Sequence, residues 1–186
     1  MEYILELDVS DVQRMANQLR QFMSESAFKT MLRRTVSNTG RKVKSIIRKE
    51  VPKIYQADGG WVASAVGAPR NGGGGGISCV IPIKGSRGTL GSRFPAQGGG
   101  KAGVQAMLLR GSWSSLPSHL PHQGGNPPFF AMGIVMTRKT NRSHPIVRVS
   151  GLAVPQMPMN RSRASVENEI INYMGKELER QFNLLV

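Results

Sequence analysis

Between Ser26 and Glu50, apolar residues recur at helical spacing: Phe28, Met31, Leu32, Val36, Val43, Ile46 and Ile47. This stripe predicts a long amphipathic helix and is the firmest constraint on the fold. The opposite face carries Arg33, Arg34, Arg41, Lys42, Lys44, Arg48 and Lys49. Pro52 marks the expected end, because the residue before a proline avoids the helical region. A basic amphipathic helix suits a membrane surface or a phosphate backbone, and it is also what any helix with one wet face looks like.

Other elements arrange themselves around that helix. "EYILELD", residues 2–8, alternates in strand fashion, with Tyr3, Leu5 and Leu7 on one face. Ser10 is placed to cap a helix carrying Asp11 in its first turn, with Val12, Met15, Leu19, Phe22 and Met23 at helical spacing. Residues 51–76 read as a connection with one short element, "WVASAV". "ISCVIPI", residues 77–83, reads as a strand that Pro82 demotes to an edge or a bulge. Two further strands are expected at 129–136 and 145–151. "VPQMPMN" is expected to be extended, and a last helix starts near Ser165 with Val166, Ile170, Met174, Leu178, Phe182 and Leu185 on its apolar face. The order predicts an α+β fold with an antiparallel sheet, as one domain over 1–186. Mobile loops are expected at about 67–76 and 95–128.

Charge is segregated along the chain. Twenty-five basic residues against 11 acidic ones give a net charge of +14, yet no acid lies between Gly59 and Val166. That segment carries Arg70, Lys84, Arg87, Arg93, Lys101, Arg110, Arg138, Lys139, Arg142, Arg148, Arg161 and Arg163. A field of one sign attracts polyanions, although a solvated basic surface has the same composition.

The chemistry-bearing motifs are weak. Cys79 is the one cysteine, so no intramolecular disulfide or cysteine-based zinc site can form, and its apolar neighbours suit a buried inert thiol. The glycine run at 72–76 precedes a strand instead of following one, and no Lys-Ser or Lys-Thr closes it as a phosphate loop requires. In "GGGKAG" Ala102 stands where the hydroxyl would be. Gly85, Gly88 and Gly91 lack the dinucleotide-binding spacing. His119 and His122 are three apart with Pro121 between them and no third ligand near in sequence. Trp61, Trp113, Phe129 and Phe130 lie among basic residues, where aromatics can stack bases, but core packing is the ordinary role for such positions. No catalytic constellation emerges, so no enzyme activity and no cofactor or metal are expected. The N-terminus is too polar for a signal peptide, and no apolar run approaches the ~18 residues of a membrane span.

The order of segments resembles a known family. It includes the basic helix "FKTMLRRTVSNTGRKVKSIIRKEV", the connector "PKIYQADGGWVASAV", the turn "IPIKGSRGTLGSRF" and the run "PIVRVSGLAVPQM" into a helix ending "GKELERQFNLLV". Together these resemble the minor tail protein Z family of long-tailed bacteriophages over nearly the whole chain. Each piece is degenerate; their order carries the likeness, and the insert at 95–128 departs from it. The resemblance implies a non-enzymatic virion protein at the neck, assembled in the host cytoplasm. It implies a homo-oligomeric ring, six-fold like the tail tube, touching the tail terminator or tail tube and the head–tail connector. Genomic DNA would pass through the ring. Arg33, Arg41, Lys42, Lys84, Arg87 and Arg93 are then the candidates to face that DNA. Ile77, Val80, Ile81 and Ile83 are the candidates for a strand pairing with the neighbouring subunit's sheet. A DNA-binding protein acting outside the virion without sequence preference is the alternative.

Overall fold

The computed structural model describes residues 2–7, 10–72, 77–98, 103–117, 127–140, 142 and 144–185. The long helix, α2, runs over Glu25–Ile54. The Ser24 hydroxyl caps it by accepting from the Ala27 amide at 3.3 Å, and Glu25 sits in the first turn where the helix dipole favours a negative charge. At 30 residues it spans about 45 Å. Its apolar stripe is buried as expected, with Met31, Val43, Ile47 and Val51 fully enclosed.

Pro52 does not end α2. The helix continues through it because Val51 is enclosed in the core and the Tyr55 amide closes the final turn on the Val51 carbonyl at 2.9 Å. A proline at this position leaves the Arg48 carbonyl without its usual donor. Gly59 packs against that carbonyl so closely that a Cβ there would lie 2.7 Å away.

The C-terminal helix α5, Arg163–Asn183, lies along α2 in the opposite direction. Two polar bridges fix the alignment. Asn38 Nδ2 donates to Glu177 Oε1 at 2.7 Å, and Ser165 Oγ donates to Glu50 Oε2 at 2.6 Å. A short helix α1, Gln13–Arg20, follows a 3-10 turn at Ser10–Val12, so the capping position falls on Val12 and not on Ser10. "WVASAV" is helical at its start: α3, Gly59–Ser64, is capped by the Asp58 carboxylate accepting from the Trp61 amide at 2.7 Å.

Every strand pair is antiparallel among the described residues. β1 (Glu2–Leu7), β2 (Arg70–Asn71) and β3 (Cys79–Lys84) form one sheet in the order β1-β3-β2. This corrects the edge-strand expectation for 77–83. β3 is the central strand, with Ile81 and Ile83 fully buried, so Val80, Ile81 and Ile83 are committed within the chain; Ile77 precedes the strand. Pro82 is tolerated because its missing N–H falls at a step in register. Arg70 opposes Val80, but Val66 opposes Ile83, one residue out of phase.

Part of the loop expected at 95–128 is strand; its residues 99–102 and 118–126 lie outside the described residues. It contributes β5 (Ala96–Gln97), β6 (Gln105–Leu109) and β7 (Ser112–Ser115), a three-stranded sheet in sequence order. β6 is tied to the end of α2: the Gln56 amide donates to the Leu108 carbonyl and the Arg110 amide to the Ile54 carbonyl. Val104 and Ala106 join the core. The run at 129–136 is a hairpin and not one strand, with β8 (Phe129–Ala131) and β9 (Ile134–Arg138) joined at Met132 and Gly133, both at positive φ. β10 (Ile146–Arg148) extends that sheet, while β11 (Ser150–Ala153) pairs with β4 (Arg87–Thr89). "VPQMPMN" is not extended; it forms the short helix α4, Gln156–Met159, with Met157 fully buried. The 67–76 excursion is paired as far as Gly72, whose amide donates to the Ser78 carbonyl.

Candidate polyanion-binding face

Burying the apolar stripe of α2 leaves its cations in solvent. Arg33, Arg34, Arg41, Lys42, Lys44, Arg48 and Lys49 are all exposed. None makes an ion pair among the described residues, whereas Lys29 and Lys53 of the same helix do. Helical spacing sets Arg33, Ser37 and Arg41 on one face, at successive turns.

Two grooves flank that face. The first lies between α2 and the β2–β3 corner, with a volume of about 730 Å³. Arg33, Arg34, Ser37 and Arg41 form one wall, and Arg70, Asn71 and Ser78 the other; among the described residues no acid lines it. Cys79 also lines it and packs against Gly40 of α2: a Cβ on Gly40 would lie 2.7 Å from the Cys79 sulfur. Burial pushes the Cys79 thiol up, so it stays protonated and inert.

Asn38 and Arg41 are shared with the second groove, of about 560 Å³, between α2 and α5. Lys42, Lys176 and Arg180 line it, with the Lys42 ammonium 5.7 Å from the centre of the Tyr173 ring. Its one acid among the described residues, Glu177, is almost fully buried and heavily bonded. Arg180 donates to both its oxygens at 2.6 and 2.8 Å, and Asn38 and Gln181 donate as well. The Arg180 hydrogen bonds first, then those of Asn38 and Gln181, hold the carboxyl down at about 2 against the cost of burial.

Of the six cations expected to face DNA, Arg33, Arg41 and Lys42 therefore come together on α2. Lys84, Arg87 and Arg93 line neither groove. Lys84 Nζ pairs with Glu2 at 3.1 Å across β1–β3. The Arg93 guanidinium covers the Trp61 ring at 5.4 Å, and Trp61 meets Phe94 edge to face at 5.7 Å. Arg87 lies on β4 with its side chain exposed. Trp61 is thus a packing residue. Phe129 lies beneath the Arg138 guanidinium at 5.0 Å, and Phe130 is partly exposed. The residues not anticipated as part of a site are Arg34, Arg70, Lys176 and Arg180. Arg34 was visible on the wet face of α2, and Lys176 and Arg180 are one helical turn apart; Arg70 is delivered only by the β2–β3 pairing.

His119, His122, Lys101 and the glycines at 73–76 lie outside the described residues. Among the described residues no group of three His, Cys, Asp or Glu side chains could hold a metal ion, and no helix is long and apolar enough to cross a membrane. No family model matches this chain, and neither does any curated protein or solved structure.

Proposed function

We propose that this chain is a structural virion protein of the phage neck that completes the head-proximal end of the tail. It assists head–tail joining and places the DNA end, and it carries out no catalysis. The order of its segments supports this reading, and the observation that carries it is the row of cations on α2 with no ion pair among the described residues, four of which line two contiguous grooves where the one described acid is neutralised. Such a surface holds a phosphate backbone without reading sequence. The subunits form a six-fold ring that meets the tail terminator or tail tube on one side and the connector on the other. Since β3 is enclosed, the strand offered to a neighbour is β1, which pairs only with β3 among the described residues and leaves its outer edge open.

The cations of α2 also favour a second reading, a DNA-binding protein acting outside the virion. Electron microscopy of particles from a phage with an early stop codon in this gene separates the two. Unjoined tails and filled heads, or joined particles that fail to infect, are expected. Normal, infectious particles would overturn the neck reading.

A further inference from the structure

The groove between α2 and the β2–β3 corner has a more specific chemistry than a basic surface. Among the described residues its cations are all arginines: Arg33, Arg34 and Arg41 from the helix and Arg70 from the opposite wall. A guanidinium presents a rigid fork of donors that matches a phosphate in a bidentate way, which an ammonium does not. None of the four is committed to a carboxylate among the described residues. Ser37, Asn71 and Ser78 add neutral donors between them.

We propose that this cleft is an arginine clamp for consecutive phosphodiester groups of duplex DNA. The inference rests on the preceding reading only in taking DNA as the polyanion; the clamp serves a neck protein and a free DNA-binding protein alike. Three observations favour an extended backbone over a small anion or an acidic peptide. The cleft is open and continues over Arg41 into the groove holding Lys42 and Lys176, so the positive path does not end at one ligand. From Arg33 to Lys42 the helix rises about 14 Å, the axial length of roughly four phosphates on one strand. Both walls keep the same sign along that path, apart from Glu177, whose charge is met by Arg180. Among the described residues no aromatic side chain lines the arginine cleft, so it lacks the stacking platforms that single strands use and grips the outside of a duplex. Lys84, Arg87 and Arg93 stand outside the clamp.

The test uses the full chain and fluorescently labelled duplexes of two unrelated sequences, titrated by anisotropy over a range of salt. The wild type is expected to bind both sequences alike, with a steep fall in affinity as salt rises. Arg34→Gln/Arg70→Gln should reduce the slope of log K against log salt by about two and weaken binding about tenfold or more. Lys84→Gln/Arg87→Gln removes the same charge elsewhere and should leave the slope near the wild-type value. Arg34→Lys/Arg70→Lys keeps the charge but loses the fork, so it should retain the slope and lose part of the affinity. Thermal melting of each variant confirms that it folds. Absence of binding by the wild type at low salt overturns the clamp, and so does equal weakening by the two Gln pairs. Displacement of the duplex by millimolar inorganic phosphate at constant ionic strength would reassign the cleft to free phosphate. A neck defect in the stop-codon phage alongside no DNA binding would leave the neck role standing without the clamp; binding with normal particles would do the reverse.

Discussion

Thr39 sits at the centre of α2, fully buried, and its hydroxyl has no hydrogen-bond partner among the described residues. One turn earlier Thr35, equally buried, donates to the Met31 carbonyl at 2.9 Å. An unmet buried hydroxyl costs about 1–3 kcal/mol relative to an apolar group of the same shape. Thr39→Val is therefore expected to raise stability by about 1 kcal/mol or more, read as a higher thermal midpoint, while Thr35→Val should gain less. Gly40, the next residue, carries the opposite constraint. Alanine would gain about 1 kcal/mol of helix propensity, but its Cβ would overlap the Cys79 sulfur at 2.7 Å and crowd Pro69 at 3.1 Å. Overpacking of this kind costs about 1–3 kcal/mol, so Gly40→Ala should be destabilising on balance. In a Cys79→Ala background the sulfur is gone, and the same substitution should become neutral or favourable. A double-mutant cycle in urea measures that difference.

At the scale of elements, the α2–α5 pair is the part most sensitive to acid. Glu177 is depressed to about 2 in the folded chain, against an ordinary value of 4.5. Its contribution is fully present above pH 4.5 and is lost as pH falls from there through 2. The urea midpoint should drop over that window, and Glu177→Gln should flatten the drop while lowering the midpoint at neutral pH. These two helices were legible in the sequence because their stripes repeat for several turns. The strands β5–β7 were not, because β6 is held by backbone groups of Ile54 and Gln56, some fifty residues away, and nothing local announces that partner. The hairpin at 129–138 was hidden for another reason: Met132 takes a left-handed turn position that ordinarily signals itself as Asn or Gly. The candidate site divides in the same way. Arg33 and Arg41 share a face by helical spacing alone, whereas Arg70 reaches them only through the register of β2 on β3. Charge counting along the chain could not separate them from Lys84 or Arg93, which the fold engages with Glu2 and Trp61.

For the whole molecule, the question is which surface another copy would meet, and backbone geometry gives a specific answer. The Gly67 amide donates to the Pro82 carbonyl at 2.8 Å, so the polar backbone groups of Pro82 face away from β1. Ile4 is the residue paired with Pro82. In an antiparallel ladder paired residues exchange both hydrogen bonds or neither, so Ile4 turns its own N–H and C=O outward, as do Glu2 and Glu6 on either side. Ile4 is also 54% exposed, so its side chain anchors little of the core. Ile4→Pro removes one outward donor and leaves the β1–β3 hydrogen bonds intact, and an edge strand tolerates a proline of that kind. The variant monomer is expected to melt close to the wild type. If subunits join through the β1 edge, the same change should shift the assembled species to monomer in analytical ultracentrifugation. A ring that survives Ile4→Pro unchanged would place the subunit contact elsewhere, and the hairpin tip at Met132, 94% exposed, would be the next surface to alter.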